Sequence, residues 1–286
     1  WDPGNGSSGK IISHLTKKLN GKHYIINEKI DGTFPAHHPD PTVPKNLKQL
    51  KNLVKRKKCD FGFAFDGDGD RLGVVDNEGK IIFADKIVAF LAKDVLLGKP
   101  SSKIILDIKS SQIVFNEIKR LKGRPIFWKS GHSLIKKKMK ETKAVFAGEM
   151  SGHIFFADKY YGFDDAIYAS IRFLNLFSDS NKPLSKIIND MEQSFSTPEL
   201  RFNSTETEKF IIVEKLKKIL KKDKKKFIGI DGVRYSTKEG WWLVRASNTQ
   251  NIIVARCEAY SKENLKKIKS NLKKNLKKCS FEVPNF

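Results

Sequence analysis

Cysteine is scarce: Cys59, Cys257 and Cys279 are the only three in 286 residues, and no two stand in a C-x-x-C arrangement. That excludes a disulfide-stapled framework and a zinc knuckle, and it fits a reducing, cytoplasmic setting. Long apolar runs are also missing. No stretch approaches the roughly 18 to 20 residues of a bilayer-spanning helix, and the N-terminus shows no basic-then-apolar signal pattern, so no membrane partner is expected. Acidic residues are outnumbered, with 32 Asp+Glu against 55 Lys+Arg, a net charge of +23. Such a balance admits nucleic acid, an anionic membrane or acidic small molecules and selects none of them. There is no Gly-x-Ser-x-Gly elbow, no Walker loop, no zinc-spaced histidine pair and no solenoid repeat. His37 and His38, in a Pro-rich loop, read as structural.

Apolar material is plentiful: 39% of the residues are hydrophobic and 20 are Phe, enough for a folded globular protein. The length exceeds what one core usually serves and favours two or three domains. Trp1 to Gly6 (WDPGNG) reads as a turn that should follow a strand, from which the chain is expected to start mid-protein. Ile11, Ile12, Leu15 and Leu19 then recur at helical spacing, and His23 to Asn27 is predicted as a short strand. After the Pro-rich loop, Leu47, Leu50, Leu53 and Val54 mark a helix and Phe61 to Phe65 a buried strand. Leu72 to Val75 and Lys80 to Phe83 form a hairpin through Asn77-Glu78-Gly79.

From Asp85 helices and strands alternate: helix to about Leu97, strand Lys103 to Lys109, helix Gln112 to Leu121, strand Pro125 to Trp128, helix from Ser133, strand Ala144 to Ala147. Helices Asp164 to Leu176 and Leu184 to Met191 follow. The last third mixes strands near Glu199, Phe227, Trp241 and Ile252 with a helix behind a Thr205/Glu208 capping box and a terminal helix. The fold class is therefore α/β: two consecutive layered α/β domains with mixed sheets, residues 1–80 and 81–192, then a smaller α+β domain, residues 193–286. The lysine tracts Lys215 to Lys226 and Lys262 to Lys278 suggest nucleic acid at first. In the second, however, Leu265, Ile268, Leu272 and Leu276 hold one stripe, as on a solvated amphipathic helix, and no aromatics interleave the lysines. No specific nucleic-acid partner is expected.

Asp66-Gly67-Asp68-Gly69-Asp70-Arg71 sets three carboxylates at alternate positions directly after an apolar strand, with glycines that let the oxygens converge. Carboxylates that close repel unless a cation joins them. An EF-hand needs Gly at loop position 6 and Glu at position 12, where this chain has Arg71 and Asn77, so calcium by that route is rejected and Mg²⁺ fits better. Arg245-Ala246-Ser247-Asn248-Thr249 offers a guanidinium fork, hydroxyls, an amide and main-chain N–H groups, an inventory suited to a phosphate dianion but also common in turns. Gly148-Glu149-Met150-Ser151-Gly152-His153 could pair with vicinal sugar hydroxyls or be a plain hairpin. Lys109 at a strand end and Gly131-His132 at a helix start occupy places where ligand-facing groups gather on α/β sheets.

In this order the segments DGDGDR (Asp66 to Arg71), GHSLIKKKMKET (Gly131 to Thr142), GEMSGH (Gly148 to His153), GFDD (Gly162 to Asp165) and RASNT (Arg245 to Thr249) resemble the α-D-phosphohexomutase superfamily. The likeness is closest to its bacterial phosphomannomutase/phosphoglucomutase branch, and it covers the whole chain as the second, third and fourth of four domains. By that resemblance Asp66, Asp68 and Asp70 would hold Mg²⁺ and Arg71 would lie beside the transferring phosphoryl group. Glu149 and Ser151 would grip sugar hydroxyls, Lys109 and His132 would contact substrate, and His153 would lie near the reacting centre. Arg245, Ser247, Asn248 and Thr249 would clamp the phosphate that is not reacting.

The implied partners are hexose phosphates and hexose 1,6-bisphosphate, together with an N-terminal domain carrying a phosphoserine. No segment of the 286 residues matches the family's T-A-S-H-N-P kind of serine motif, and Ser7 and Ser8 lie in the opening Gly-rich turn. The chain alone is therefore expected not to turn over. Phosphoglucosamine mutase is the alternative enzyme, and a non-catalytic phosphosugar-binding remnant the alternative class. Met150 and Asn248 stand where the phosphoglucosamine enzymes typically carry Gln and Gly, which favours the hexose enzyme.

Overall fold

In the computed structural model, which describes residues 1–281, 283 and 286, the opening turn leads into helix α1 (Gly9–Thr16). Helix α2 (Lys48–Lys57) sets Leu50 and Val54 against Ala64 and Val75 of the strands that follow. Those strands, β1 (Phe61–Phe65) and β2 (Leu72–Asp76), pair antiparallel from Phe61↔Asp76 to Phe65↔Leu72, and β2 turns back into β3 (Ile81–Ile82). The turn is closed by Asp76, whose Oδ1 accepts the N–H of Glu78 at 2.9 Å and of Lys80 at 2.8 Å. The expected strand His23 to Asn27 does not form. That segment shares backbone hydrogen bonds with the opening turn, Ile26 N to Trp1 O, Trp1 N to Tyr24 O and Asn5 N to Asn27 O, but these do not make a strand ladder.

Next come α3 (Ala84–Gly98), β4 (Lys103–Asp107), α4 (Gln112–Arg120), β5 (Arg124–Trp128), α5 (His132–Thr142), β6 (Phe146–Gly148), β7 (Ile154–Phe156), α6 (Ala166–Ser178) and α7 (Leu184–Asn189). The sheet order is β5-β4-β6-β7, parallel except for the antiparallel edge β7. Alternate residues serve opposite faces: Ile104, Leu106 and Phe146 enter the large core, while Ile105, Ala147 and Phe155 pack with Ile135 and Met139 of α5. Burial on both faces explains why these strands read as unbroken apolar runs. Phe173 of α6, fully buried, has its ring 5.3 Å from Phe61 and Phe63 and 4.7 Å from Phe90, joining the two sheets in one core. Residues Trp1–Met191 thus make one compact unit.

Glu192–Phe286 is the second unit. It comprises β8 (Phe195–Ser196), β9 (Leu200–Asn203), α8 (Glu206–Lys222), β10 (Phe227–Ile228), β11 (Val233–Ser236), β12 (Gly240–Ala246), β13 (Ile252–Ala259) and α9 (Lys262–Lys278). The antiparallel sheet runs β10-β11-β12-β13, with β8 and β9 both paired to β13. Helix α8 begins at the Thr205/Glu208 capping box, which satisfies two free backbone N–H groups at once. The stripe Ile268, Leu272 and Leu276 of α9 is buried with Trp242, Val244 and Cys257, while Lys266, Lys267, Lys274 and Lys277 remain exposed. Cys59, Cys257 and Cys279 are free thiols, and no helix among the described residues is long and apolar enough to cross a membrane.

Truncating the ring that joins the two sheets leaves a cavity the surroundings cannot fill. Phe173→Ala should lower the unfolding free energy of residues 1–191 by about 3–5 kcal/mol, read from urea midpoints. A loss under about 1 kcal/mol would show that the two sheets are held together elsewhere.

Candidate functional site

Strand β1 delivers Asp66, 2% exposed, to the turn that leads into β2. Its Oδ1 accepts the N–H groups of Gly69 at 3.1 Å and of Asp70 and Arg71 at 3.0 Å, and its Oδ2 accepts Arg71 Nε at 2.7 Å. One carboxylate therefore gathers the whole loop. The opening turn supports it from beneath: Ser7 N donates to Gly67 O at 2.9 Å, and a Cβ on Gly6 would come within 2.7 Å of that same oxygen. Asp66, Asp68 and Asp70 each offer an oxygen within 4.8 Å of the others. Burial opposes ionisation of Asp66, but the hydrogen bonds and charge of Arg71 outweigh it and hold the carboxyl below its usual range. Asp68 goes the other way, raised by burial and then by its neighbours Asp66 and Asp70. Acceptor-only oxygens crowded in this way form a donor set for a hard cation, and the triad could bind a metal ion.

Arg71 also reaches Asp40 Oδ1 through Nη1 at 3.2 Å. Its backbone forms an isolated antiparallel bridge with His153, and Leu72 N donates to Gly152 O at 3.0 Å, so the aspartate loop is tied to the β6–β7 turn. Gly152 is required there: φ is +98°, and a Cβ would lie 2.9 Å from Leu72 O. His153 Nδ1 lies 2.8 Å from Ser151 Oγ and 3.5 Å from Glu149 Oε2. Its Nε2 lies 3.4 Å from Asp70 Oδ1 and 3.9 Å from Asp164 Oδ2. Burial alone would lower the His153 pKa, yet Asp70, Glu149 and Asp164 together raise it. His132 stacks on this imidazole with centroids 5.6 Å apart and planes 14° from parallel.

Glu149 is 3% exposed and accepts the N–H of Gly131, the residue that opens α5, at 2.6 Å. Beneath the turn sits Asp107, fully buried at the end of β4, accepting Ser110 Oγ at 2.6 Å, Ser130 Oγ at 3.2 Å and Met150 N at 3.4 Å. Burial first and the Asp107 charge second push the Glu149 carboxyl up to about 7, against the opposing pull of Gly131, His153 and Lys109. Lys109 stands two residues beyond β4 rather than on the strand itself. The first unit thus gathers Asp66, Asp68, Asp70, Arg71, Lys109, His132, Glu149, Ser151 and His153. Asp164, Lys136 and Asp107 belong to this gathering but were given no role in the sequence reading, although Lys136 and Asp164 lie in its GHSLIKKKMKET and GFDD segments. The spacing of His132 and Lys136, one helical turn apart, and the GFDD segment were the available signals.

The remaining candidates lie in the second unit. Arg245, one residue before the end of β12, has its Nε 3.1 Å from Asp231 Oδ2. Ser247 is buried, and its Oγ accepts the N–H of Thr249 at 3.3 Å and of Gln250 at 3.2 Å, folding a tip on which Asn248 and Thr249 are exposed. Lys209 Nζ, from α8, donates to Gln250 O at 3.1 Å and steadies the far side of the tip. Gly232, with φ +80°, would bring a Cβ to 2.2 Å from Val244 O, so only glycine lets the Asp231 segment approach β12 this closely.

Comparison with known proteins gives three matches in order along the chain. They are Phosphoglucomutase/phosphomannomutase, alpha/beta/alpha domain II, over residues 1–79, alpha/beta/alpha domain III over residues 83–195, and the C-terminal domain over residues 199–274. The Phosphomannomutase/phosphoglucomutase of Pseudomonas aeruginosa is 44% identical over 283 residues, 99% of this chain and 61% of that protein. The Phosphoglucomutase of Neisseria meningitidis serogroup A is 43% identical over 274 residues, 95% of this chain and 59% of that protein. A crystal structure of a phosphoglucomutase/phosphomannomutase family protein from Burkholderia thailandensis aligns with a TM-score of 0.91 at 40% identity, covering 98% of this chain and 60% of that one. The chain therefore spans about three fifths of the length of these relatives.

The raised Glu149 pKa has a stability consequence. An unfolded chain releases this proton near the ordinary 4.5, whereas the folded protein holds it to about 7, so in that window the folded state binds more protons and stability falls as pH rises. Glu149→Gln keeps an acceptor for Gly131 and removes the ionisation. Thermal unfolding followed from about pH 5 to pH 8 should show a shallower decline in the variant, with a gain on the order of 1–3 kcal/mol at the alkaline end. Parallel curves for the two proteins would contradict this.

Proposed function

Since the chain belongs to the phosphoglucomutase/phosphomannomutase family, in the α-D-phosphohexomutase superfamily, we propose that it carries the metal, sugar and phosphate sites of a mutase interconverting hexose 1-phosphate and hexose 6-phosphate. Glucose and mannose phosphates are the proposed substrates. The observation that carries this reading is the meeting of Asp66, Asp68 and Asp70 with Arg71, His153 and Glu149 at one set of loops. Phosphoryl transfer asks a protein for positioning and for neutralisation of spread negative charge.

In the proposed site Asp66, Asp68 and Asp70 hold Mg²⁺, which when bound supplies Lewis-acid neutralisation at the phosphoryl oxygens. Arg71, fixed by Asp66 and Asp40, presents its guanidinium to the same group. Glu149 and Ser151 bind sugar hydroxyls, while Lys109 and His132 contact the substrate. His153, hydrogen-bonded at one ring nitrogen and facing carboxylates at the other, exchanges a proton with the hydroxyl that gives or receives phosphate. Arg245, Ser247, Asn248 and Thr249 clamp the phosphate that does not react. The reaction passes through hexose 1,6-bisphosphate and starts from a phosphoserine that these residues do not supply.

The three-part division at residues 80 and 192 and a cytoplasmic setting belong to this proposal. Phosphoglucosamine mutase is the second reading, and Met150 and Asn248 tell against it.

Calorimetry and a coupled mutase assay test the reading. The purified 286-residue chain should bind glucose 1,6-bisphosphate in the presence of Mg²⁺ without isomerising glucose 1-phosphate or mannose 1-phosphate. Asp68→Asn should abolish the Mg²⁺ dependence. Arg245→Ala should weaken bisphosphate binding about 10- to 100-fold, the worth of a charge-assisted hydrogen bond. Measurable turnover would overturn the inactivity of the chain alone, and absence of bisphosphate binding would overturn the site assignment.

A further inference from the structure

Asp164, in the GFDD segment, is 5% exposed, and its Oδ1 accepts Lys136 Nζ at 2.8 Å. Its backbone is held on two sides: Asp164 bridges Phe155 of β7, and two residues on Ala166 N donates to Gly69 O of the aspartate loop at 3.2 Å. Oδ2 has no such partner. It is buried without a hydrogen bond among the described residues, 3.5 Å from His132 Nδ1 and 3.9 Å from His153 Nε2. Buried carboxylate oxygens are seldom left without a donor, and the donor within reach is an imidazole N–H.

His153 Nε2 faces two carboxylate oxygens, Asp70 Oδ1 at 3.4 Å and Asp164 Oδ2 at 3.9 Å. Carboxylate oxygens at this range act as acceptors for Nε2, which therefore carries a hydrogen. Asp70 is the nearer acceptor, but it is also a member of the aspartate triplet. A cation on that triplet competes for the Asp70 carboxylate and repels the positive end of the N–H bond. We infer that Asp164 is the positioning residue for His153: when the triplet takes its cation, the Nε2–H passes from Asp70 to Asp164 Oδ2 and the ring is locked parallel to His132. The inference rests on the metal reading given above. It couples charge neutralisation to ring orientation. Lys136 has a defined share, because its bond to Oδ1 leaves Oδ2 as the oxygen that faces both rings.

The test uses the 286-residue chain labelled with ¹⁵N, its histidine ring nitrogens followed by long-range ¹H–¹⁵N correlation with and without MgCl₂, and His153 assigned from the His153→Gln spectrum. Calorimetry with MgCl₂ runs in parallel. In the parent chain Mg²⁺ should shift the His153 Nε2 resonance. In Asp164→Asn the amide O is taken by Lys136 and the NH₂ faces the ring, so the shift should be lost while Mg²⁺ still binds, about tenfold more weakly. Lys136→Met, at a partly exposed position, should reduce the shift, and it decides the matter if Asp164→Asn does not fold. An undiminished shift in either folded variant overturns the assignment of Asp164 alone. Calorimetry showing no Mg²⁺ binding to the parent chain overturns the metal reading and this inference with it.

Discussion

The side chain of Asp66 is the constraint on which the site depends. Four donors, three of them successive backbone N–H groups, converge on its two oxygens, and the last of the four is the Arg71 side chain. A turn of three aspartates would otherwise open under its own repulsion. Because Asp66 accepts from Asp70 N and Arg71 N, the positions of Asp70 and Arg71 are consequences of it. Through the Arg71–His153 bridge, so is the register of the β6–β7 turn against the loop. The strand behind it matters equally: β1 is buried along Gly62 to Phe65, which leaves Asp66 no freedom to swing toward solvent.

Electrostatics of the first unit follow from crowding. Asp66, Asp68, Asp70, Asp107, Glu149 and Asp164 are gathered at the ends of β1, β4 and β6, in a chain that is otherwise strongly basic. Each is handled differently. Asp66 is neutralised by Arg71, Asp164 by Lys136, and Asp107 is hydrogen-bonded by two serines and a backbone N–H. Glu149, buried against Asp107, answers by holding its proton, and Asp68 is raised by burial and then by the other two aspartates. Under the proposed function, local acidity within global basicity would suit a phosphosugar ligand: the lysines would supply long-range attraction, while the acidic centre would disfavour a bare phosphate unless a divalent cation accompanied it.

Much of this was legible in the sequence because the chemistry is local. The D-x-D-x-D spacing, the capping box at Thr205 and the helical stripe of α9 each depend on residues within a few positions of one another, and the fold carries all three. What could not be read was set by partners far along the chain. The segment His23 to Asn27 has strand-like composition but lacks a ladder to join, and composition does not report partners. Strands β7 and β11 escaped notice because each is only three or four residues long and exists through its antiparallel neighbour, β6 for one and β12 for the other.

Asp107 illustrates the same limit at the site. In sequence it is one aspartate at the end of an apolar strand. In the fold it lies beneath Met150, forty-three positions away, and it is the charge that, after burial, sets the proton affinity of Glu149. A motif names the residues that meet a ligand, because their spacing is constrained by it. The residues that tune those groups come from neighbouring strands, where parallel pairing puts β4 beside β6 with α4, β5 and α5 between them in the chain. For such α/β units the sequence shows the contact layer first, and the layer beneath it emerges only when strand order is known.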